Sequence, residues 1–234
     1  MIIVSIYSRE EKYILLLSEG SKSVKELSEK LFISEPTVRR DVAVLKKKEL
    51  VTCKRGTVAL ITKSPDKRIP LFIRDTEHNE EKMAIARKAL AYVKDGDAIM
   101  LDASTTAFHL LPHLAMFKNI LVITNGVKTV VEAASLGIRT ICTGGEITLE
   151  SFSFVGTDAE RTLDKYNADV AFFSCRGLDD NGLVTDNSIL ENSMRKIMIK
   201  NAKKAVLLCD RSKFGQRHLN TLCNVKELDV VISE

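Results

Sequence analysis

The chain has 234 residues, with 35 Lys and Arg against 31 Asp and Glu, a formal net charge of +4. An apolar share of 45% and a charged share of 28% exclude a chain disordered throughout, and 11 Gly with 4 Pro exclude a collagenous or linker-like one. The charge is unevenly placed: residues 1–60 hold 12 basic and 8 acidic residues, while residues 61–234 hold 23 of each. The whole excess sits in the first quarter, the asymmetry of a basic module ahead of a neutral body.

No stretch reaches the roughly 18 apolar residues that cross a membrane. The opening Met1-Ile2-Ile3-Val4 is short, lacks a basic lead-in and soon meets Arg9-Glu10-Glu11-Lys12, so no secretory signal is read. The five cysteines (Cys53, Cys142, Cys175, Cys209, Cys223) are far apart and form no C-x-x-C. That pattern predicts free thiols in a cytoplasmic protein, with neither a disulfide framework nor a zinc site.

A first helix, Arg9 to Ser18, carries Tyr13, Leu16 and Leu17 on one face and ends at Gly20. Ser23 caps a second, with Glu26 completing a capping box and Val24, Leu27 and Leu31 at helical spacing. A break through Phe32-Ile33 leads to Ser34, the N-cap of a third helix with Glu35 and Pro36 in its first turn. That helix buries Val38, Val42 and Leu45. Two short helices joined in this way form a helix-turn-helix, whose second member enters the DNA major groove.

Helical phase leaves Thr37, Arg39, Arg40 and Lys47 off the buried stripe, with Ser34 at its start. An Arg there either chelates guanine O6/N7 or binds phosphate. Leu50–Cys53 and Thr57–Leu60 flank Lys54-Arg55-Gly56, a strand–turn–strand wing whose tip, Lys54 and Arg55, is basic. These seven polar residues are the candidate DNA contacts. An amphipathic module for protein contacts is the bland alternative.

Residues 61–79 are polar, carry two prolines and read as a linker. A helix from Glu80 to Val93 follows, then the turn Lys94-Asp95-Gly96-Asp97. Apolar runs at Ala98–Leu101, Ile120–Ile123, Thr140–Thr143, Asp169–Ser174, Ala205–Cys209 and Val230–Ile232 are predicted strands. Helices are predicted over Thr106–Phe117, Val127–Leu136, Asp158–Lys165 and Ser188–Ala202. The alternation predicts an α/β fold, a mainly parallel sheet covered on both faces. The organisation is thus a winged helix-turn-helix over 1–60, a linker over 61–79 and an α/β sensor domain over 80–234.

Ligands of such sheets bind beyond the carboxyl ends of the strands. Those ends carry Asp102-Ala103-Ser104-Thr105-Thr106, Thr124-Asn125-Gly126, Gly144-Gly145-Glu146, Cys175-Arg176-Gly177-Leu178-Asp179-Asp180 and Asp210-Arg211-Ser212-Lys213. Hydroxyls and amides at a helix start suit an anion, usually phosphate. Ser104, Thr105, Thr106 and Gly144 are therefore candidate phosphate contacts, with Lys213 adding a point charge. Asp102, Asn125 and Asp180 are candidates for sugar hydroxyls, and a small phosphorylated polyol or sugar is the implied ligand. The bland alternative for Ser104 to Thr106 is a plain helix cap. His109 and His113 stand at a metal-ligand spacing, but Pro112 interrupts the helix, so neither metal nor cofactor is assigned. Glu191, Asp180 and Lys213 are conceivable acid/base groups, which keeps open a sugar-phosphate isomerase-like enzyme with an appended helix-turn-helix.

Val24-Lys25-Glu26-Leu27 through Ser34-Glu35-Pro36-Thr37-Val38-Arg39-Arg40-Asp41 resembles the helix-turn-helix signature of the DeoR family of bacterial transcriptional regulators. Arg74, Asn79-Glu80-Glu81-Lys82, Leu101 to Thr106, Thr124-Asn125, Gly144-Gly145 and Asp210-Arg211-Ser212-Lys213-Phe214 resemble that family's sensor motifs. The resemblance implies a sensor similar in fold to ribose-5-phosphate isomerase. It also implies a homo-oligomeric repressor of a carbohydrate operon, not an enzyme, that binds a double-stranded operator and responds to a phosphorylated sugar. Three positions depart from the family pattern: Phe32 where Gly is frequent, Lys54-Arg55-Gly56-Thr57 in place of a His-Gly-Gly run, and Ser104 where many members have Gly.

Overall fold

The computed structural model describes residues 9–18, 20–48, 50–61 and 78–234. The chain divides into two compact units, Met1–Glu77 and His78–Glu234. Nearly all of the predicted linker, and Arg74 with it, lies outside the described residues.

The first unit runs α1 (Arg9–Ser18), β1 (Lys22–Ser23), α2 (Val24–Leu31), α3 (Glu35–Lys47), β2 (Val51–Lys54) and β3 (Thr57–Leu60). One apolar residue per helical turn makes a stripe on each helix, and the stripes meet: Tyr13, Leu17, Leu27, Val38 and Leu45 are sealed together beneath Val51 and Val58. The predicted capping box is present, with the Ser23 hydroxyl accepting the Glu26 N–H at 3.1 Å and the Glu26 carboxylate accepting the Ser23 N–H at 2.7 Å. Ser34 holds the N-cap of α3 but makes no cap hydrogen bond; its hydroxyl pairs with that of Thr37 at 2.9 Å. Between α2 and α3, Phe32 adopts the left-handed conformation at φ 55°, which explains why glycine suits this turn. The β2–β3 hairpin turns through Arg55 (φ 50°) and Gly56 (φ 79°), the pair of left-handed residues that a two-residue hairpin loop requires. A bond of 3.0 Å from the Val24 N–H to the Gly56 carbonyl ties this turn to the start of α2.

The second unit opens with α4 (Asn79–Ala89) and is built on β4 (Ala98–Leu101), β5 (Leu121–Thr124), β6 (Arg139–Cys142), β9 (Val170–Ser174), β12 (Ala205–Leu208) and β14 (Val230–Ile232). These pair in parallel in the order β14-β12-β9-β4-β5-β6. Side chains alternate across the sheet. Ile99, Leu101, Val122, Val170 and Phe172 face one layer with Ile85 and Ala133. Met100, Ile123 and Ala171 face the other, with Ala159, Leu163, Met194 and Met198. Their helices are α4 and α7 (Val127–Ser135) on the first face, and α8 (Thr157–Leu163) and α9 (Ile189–Asn201) on the second.

Two features depart from the expected pattern. The helix predicted over Thr106–Phe117 is two single turns, α5 (Thr105–Phe108) and α6 (Leu111–Leu114). Pro112 lacks an N–H and is tolerated only in a first helical turn, so it restarts the helix there. The sheet system also contains unpredicted antiparallel parts. β7 (Glu146–Thr148) pairs with β8 (Ser153–Val155), and β10 (Gly177–Leu178), β11 (Leu183–Asp186) and β13 (Asn220–Asn224) form a separate sheet. Strands this short carry too few alternations to stand out in sequence.

Candidate functional site

Two sets of polar residues stand out, one in each unit. In the first, Arg39, Arg40 and Lys47 of α3 are exposed, Thr37 is half-buried and Ser34 is exposed at its start. Arg39 is leashed to Glu35, one turn earlier, at 3.3 Å, an exposed i,i+4 pair that a stronger anion readily replaces. Lys54 and Arg55 are exposed at the hairpin tip. Asp41, from the same signature, faces inward: it accepts from the Tyr13 hydroxyl at 3.2 Å and lies 3.7 Å from Arg9. Burial, together with the Asp41 charge, raises the Tyr13 hydroxyl above its ordinary pKa, so it stays a donor. Asp41 thus clamps α3 to α1, while the arginines before it face outward.

In the second unit the chain starts the sheet at β4, proceeds outward through β5 and β6, then returns to lay β9, β12 and β14 on the other side of β4. The topological switch point lies between β4 and β9, where such sheets open a crevice beyond their carboxyl ends. Asp102 follows β4 and bridges this junction. Its Oδ1 accepts the Ser104 N–H at 3.1 Å, and its Oδ2 accepts the Ser174 N–H at 3.2 Å and Arg195 Nε at 2.9 Å. The sequence offers Asp102 to a sugar hydroxyl; in the fold its oxygens hold β4, β9 and α9 together.

Lys213, from the short turn after β12, reaches back over the same junction. Its Nζ lies 2.9 Å from Ser174 Oγ, 3.4 Å from Thr106 Oγ1 and 2.9 Å from Asp210 Oδ2. Ser104 caps α5 by accepting the Ala107 N–H at 3.1 Å, and Thr105 and Thr106 are buried beside it. The structure therefore brings Lys213 to Thr106, two candidates 107 residues apart in sequence. Burial disfavours the charged form of Asp210, but Lys213 outweighs this and holds its carboxyl below the usual range.

Asn125 is buried after β5; its Nδ2 donates to the Phe154 carbonyl at 3.1 Å and its Oδ1 has no hydrogen-bond partner among the described residues. Gly144 is left-handed at φ 63° with open space where a Cβ would stand, whereas a Cβ on Gly145 would meet the Val155 carbonyl at 2.8 Å. Asp180 is exposed in the turn between β10 and β11, and no hydrogen bond joins it to Lys213 or Thr106. His109 ends α5 and His113 lies in α6.

The sequence reading missed the centre of this network. Arg195 is buried, with Asp102 at 2.9 Å, Asp186 at 2.8 Å and Glu191 at 3.0 Å. Arg176 adds a second cation 3.5 Å from Asp186. Burial opposes ionisation of Asp186, yet the two guanidinium groups prevail and lower its pKa. The available signal was Arg195 itself, set between Met194 and Met198 on the buried face of a helix, where an unpaired cation is untenable. Glu191 extends the network to the β7–β8 hairpin by accepting from Ser153 Oγ at 3.1 Å.

Residues 10–64 match the family described as the DeoR-like helix-turn-helix domain, and residues 77–234 match the DeoR C terminal sensor domain. The chain is 34% identical over 224 residues to the HTH-type transcriptional regulator IolR of Bacillus subtilis, covering 95% of this chain and 88% of that protein. It is 31% identical over 222 residues to the L-fucose operon activator of Escherichia coli, covering 94% and 91%. It is 29% identical over 232 residues to the lactose phosphotransferase system repressor of Staphylococcus epidermidis, covering 97% and 92%. Among solved structures, eIF2B delta from Chaetomium thermophilum shares the fold over 69% of this chain and 58% of its own, at TM-score 0.52 and 16% identity. The ribose 5-phosphate isomerase of Methanocaldococcus jannaschii covers 59% of this chain and 55% of its own at TM-score 0.45 and 21% identity. Among the described residues, no helix is long and apolar enough to cross a membrane.

Proposed function

The chain belongs to the DeoR family of DNA-binding transcriptional regulators, and on that premise we propose that it represses a carbohydrate operon and is released by a phosphorylated sugar. Relatives named for the fucose operon and the lactose phosphotransferase system support the carbohydrate assignment. Such relatives span both units and are named as regulators, which sets the isomerase alternative aside.

In this reading Ser34, Thr37, Arg39, Arg40 and Lys47 dock α3 in the major groove, and Lys54 and Arg55 touch the flanking backbone. A homo-oligomer presents two such helices to operator half-sites about 10 base pairs apart, or a multiple of that. The effector phosphate sits against Ser104, Thr105, Thr106 and Gly144 with Lys213 as its counter-charge, and Asn125 faces the sugar. Asp102 serves by holding the loop. The linker over 61–79 carries the bias between domains, and the effector must bind the two states unequally for release to occur. The observation that carries this reading is Lys213 Nζ, partly exposed and set against Ser174 and Thr106 at the switch point of the sheet.

The test pairs two variants. Arg39→Ala with Arg40→Ala weakens operator binding and leaves the thermal shift caused by sugar phosphates intact. Lys213→Ala abolishes that shift, and the release from operator, while basal DNA binding persists. Unchanged operator affinity in the first, or an unchanged shift in the second, overturns the corresponding half.

A further inference from the structure

The parallel ladder between β9 and β12 ends at the Ser174–Leu208 pair, and the next residue on each strand is a cysteine. The sulfurs of Cys175 and Cys209 lie 3.9 Å apart. Neighbouring strands run about 4.8 Å apart, inside the Cα separation of roughly 4.4–6.8 Å that a disulfide spans. Closing the bond to about 2 Å then needs side-chain rotation and a small shift of the two strand ends. We propose that Cys175 and Cys209 are a redox-modification site that a hydroperoxide converts to a reversible intramolecular disulfide.

The chemistry balances with hydrogen peroxide as oxidant. The Cys175 thiolate attacks one peroxide oxygen, the O–O bond breaks, and a sulfenic acid forms as hydroxide leaves and is protonated to water. The Cys209 sulfur then attacks the sulfenic sulfur; the S–O bond breaks, the S–S bond forms, and the thiol proton leaves with the hydroxyl as a second water. Two thiols and one peroxide give one disulfide and two waters. Cys175 is the attacking group because it is the less enclosed of the two, 5% exposed where Cys209 is fully buried. The hydrogen bond shared with Cys209, aided by the charges of Lys213 and Arg195, lowers the Cys175 thiol below its ordinary pKa, which favours the reactive thiolate.

The other cysteines lack this arrangement. Cys142 is exposed at the end of the edge strand β6, and Cys53 lies in the first unit. Cys223 shares the apolar cluster of the pair, but the sulfur–sulfur contact at 3.9 Å joins Cys175 to Cys209. The position gives the disulfide a consequence. Cys175 follows Ser174 and Cys209 precedes Asp210, and both neighbours hold Lys213. Drawing the sulfurs together displaces the anchors of that lysine.

The full-length protein is treated with hydrogen peroxide, alkylated with N-ethylmaleimide, digested and analysed by mass spectrometry. The expected product is a Cys175–Cys209 linked peptide, two hydrogens lighter than the dithiol and restored by dithiothreitol. Cys142→Ser retains it. Cys209→Ala stops at a Cys175 sulfenic acid trapped by dimedone, and Cys175→Ala, a second variant should that one fail to fold, leaves Cys209 alkylated only after unfolding. Full alkylation of both thiols after native-state peroxide treatment overturns the proposal. So does a link that joins either cysteine to Cys223 or to a second chain.

Discussion

Arg195 Nε donates to Asp102 Oδ2 at 2.9 Å across 93 residues of chain, and both side chains are buried. This contact fastens the middle of α9 to the loop that leaves β4. Asp186 and Glu191 occupy the remaining nitrogens, so one guanidinium answers three carboxylates. Removing it takes from the buried Asp102 its cation and from Asp186 the nearer of two, which costs about 3–5 kcal/mol. Arg195→Met is therefore expected to lower the urea stability of the second unit by that amount. Arg195→Lys does little better, because an ammonium lacks the planar fork that serves several acceptors. A loss smaller than about 1 kcal/mol, the range of exposed ion pairs, contradicts this account.

Gly144 and Gly145 are adjacent and both left-handed, yet they differ in surroundings. A Cβ on Gly144 meets open space, whereas one on Gly145 meets the Val155 carbonyl at 2.8 Å and Ala159 Cβ at 2.9 Å. Gly144→Ala then incurs only backbone strain, about 1–2 kcal/mol. Gly145→Ala adds overpacking against α8, for a total of roughly 2–5 kcal/mol. Denaturant midpoints of the two variants measure the difference; equal losses refute the packing argument.

Phe32 is 94% exposed and left-handed, so the turn gains strain and little burial from it. Phe32→Gly relieves about 1–2 kcal/mol of strain and returns roughly 0.4–1 kcal/mol through a more flexible unfolded chain. The first unit is expected to become more stable by up to about 1.6 kcal/mol, read as a rise in its thermal midpoint. A fall in that midpoint means the ring contributes a contact of its own.

Asp186 and Asp210 both have folded-state pKa values below their ordinary ones: burial opposes the charge, and Arg195 with Arg176, or Lys213, more than compensates. Between the folded and unfolded values the unfolded chain binds more protons, so stability rises with pH there. The contribution is complete above the unfolded carboxylate value, about 3.9, and is lost as the pH falls through the lowered folded values. Urea midpoints of the second unit, measured from neutral pH downward, are expected to hold steady and then drop below about pH 4. A flat profile through that region argues against ionised, paired carboxylates.

Much of this molecule is legible in local pattern. Ser23 and Glu26 stand three residues apart, and they form the capping box that the spacing dictates. The stripe of Val38, Val42 and Leu45 specifies which face of α3 is buried, and so which side leaves Arg39 and Arg40 exposed. Ser34 shows the limit of the same reasoning: its identity suits an N-cap, but a competing hydroxyl on Thr37 takes the bond.

The sequence by itself determined the two-part organisation, the parallel strands and the strand-end loops, because each rests on periodicity and turn chemistry within a few residues. It singled out Thr106 and Lys213 separately, and it set the basic excess in the first sixty residues. Only the tertiary structure decided which loops meet. Placing β9 beside β4 juxtaposes Ser174, Asp102 and Lys213, commits Asp102 to Arg195, leaves Asp180 out in a surface turn, and sets Cys175 against Cys209. Those outcomes depend on strand order and on pairing buried charges across nearly a hundred residues, and no local pattern encodes either.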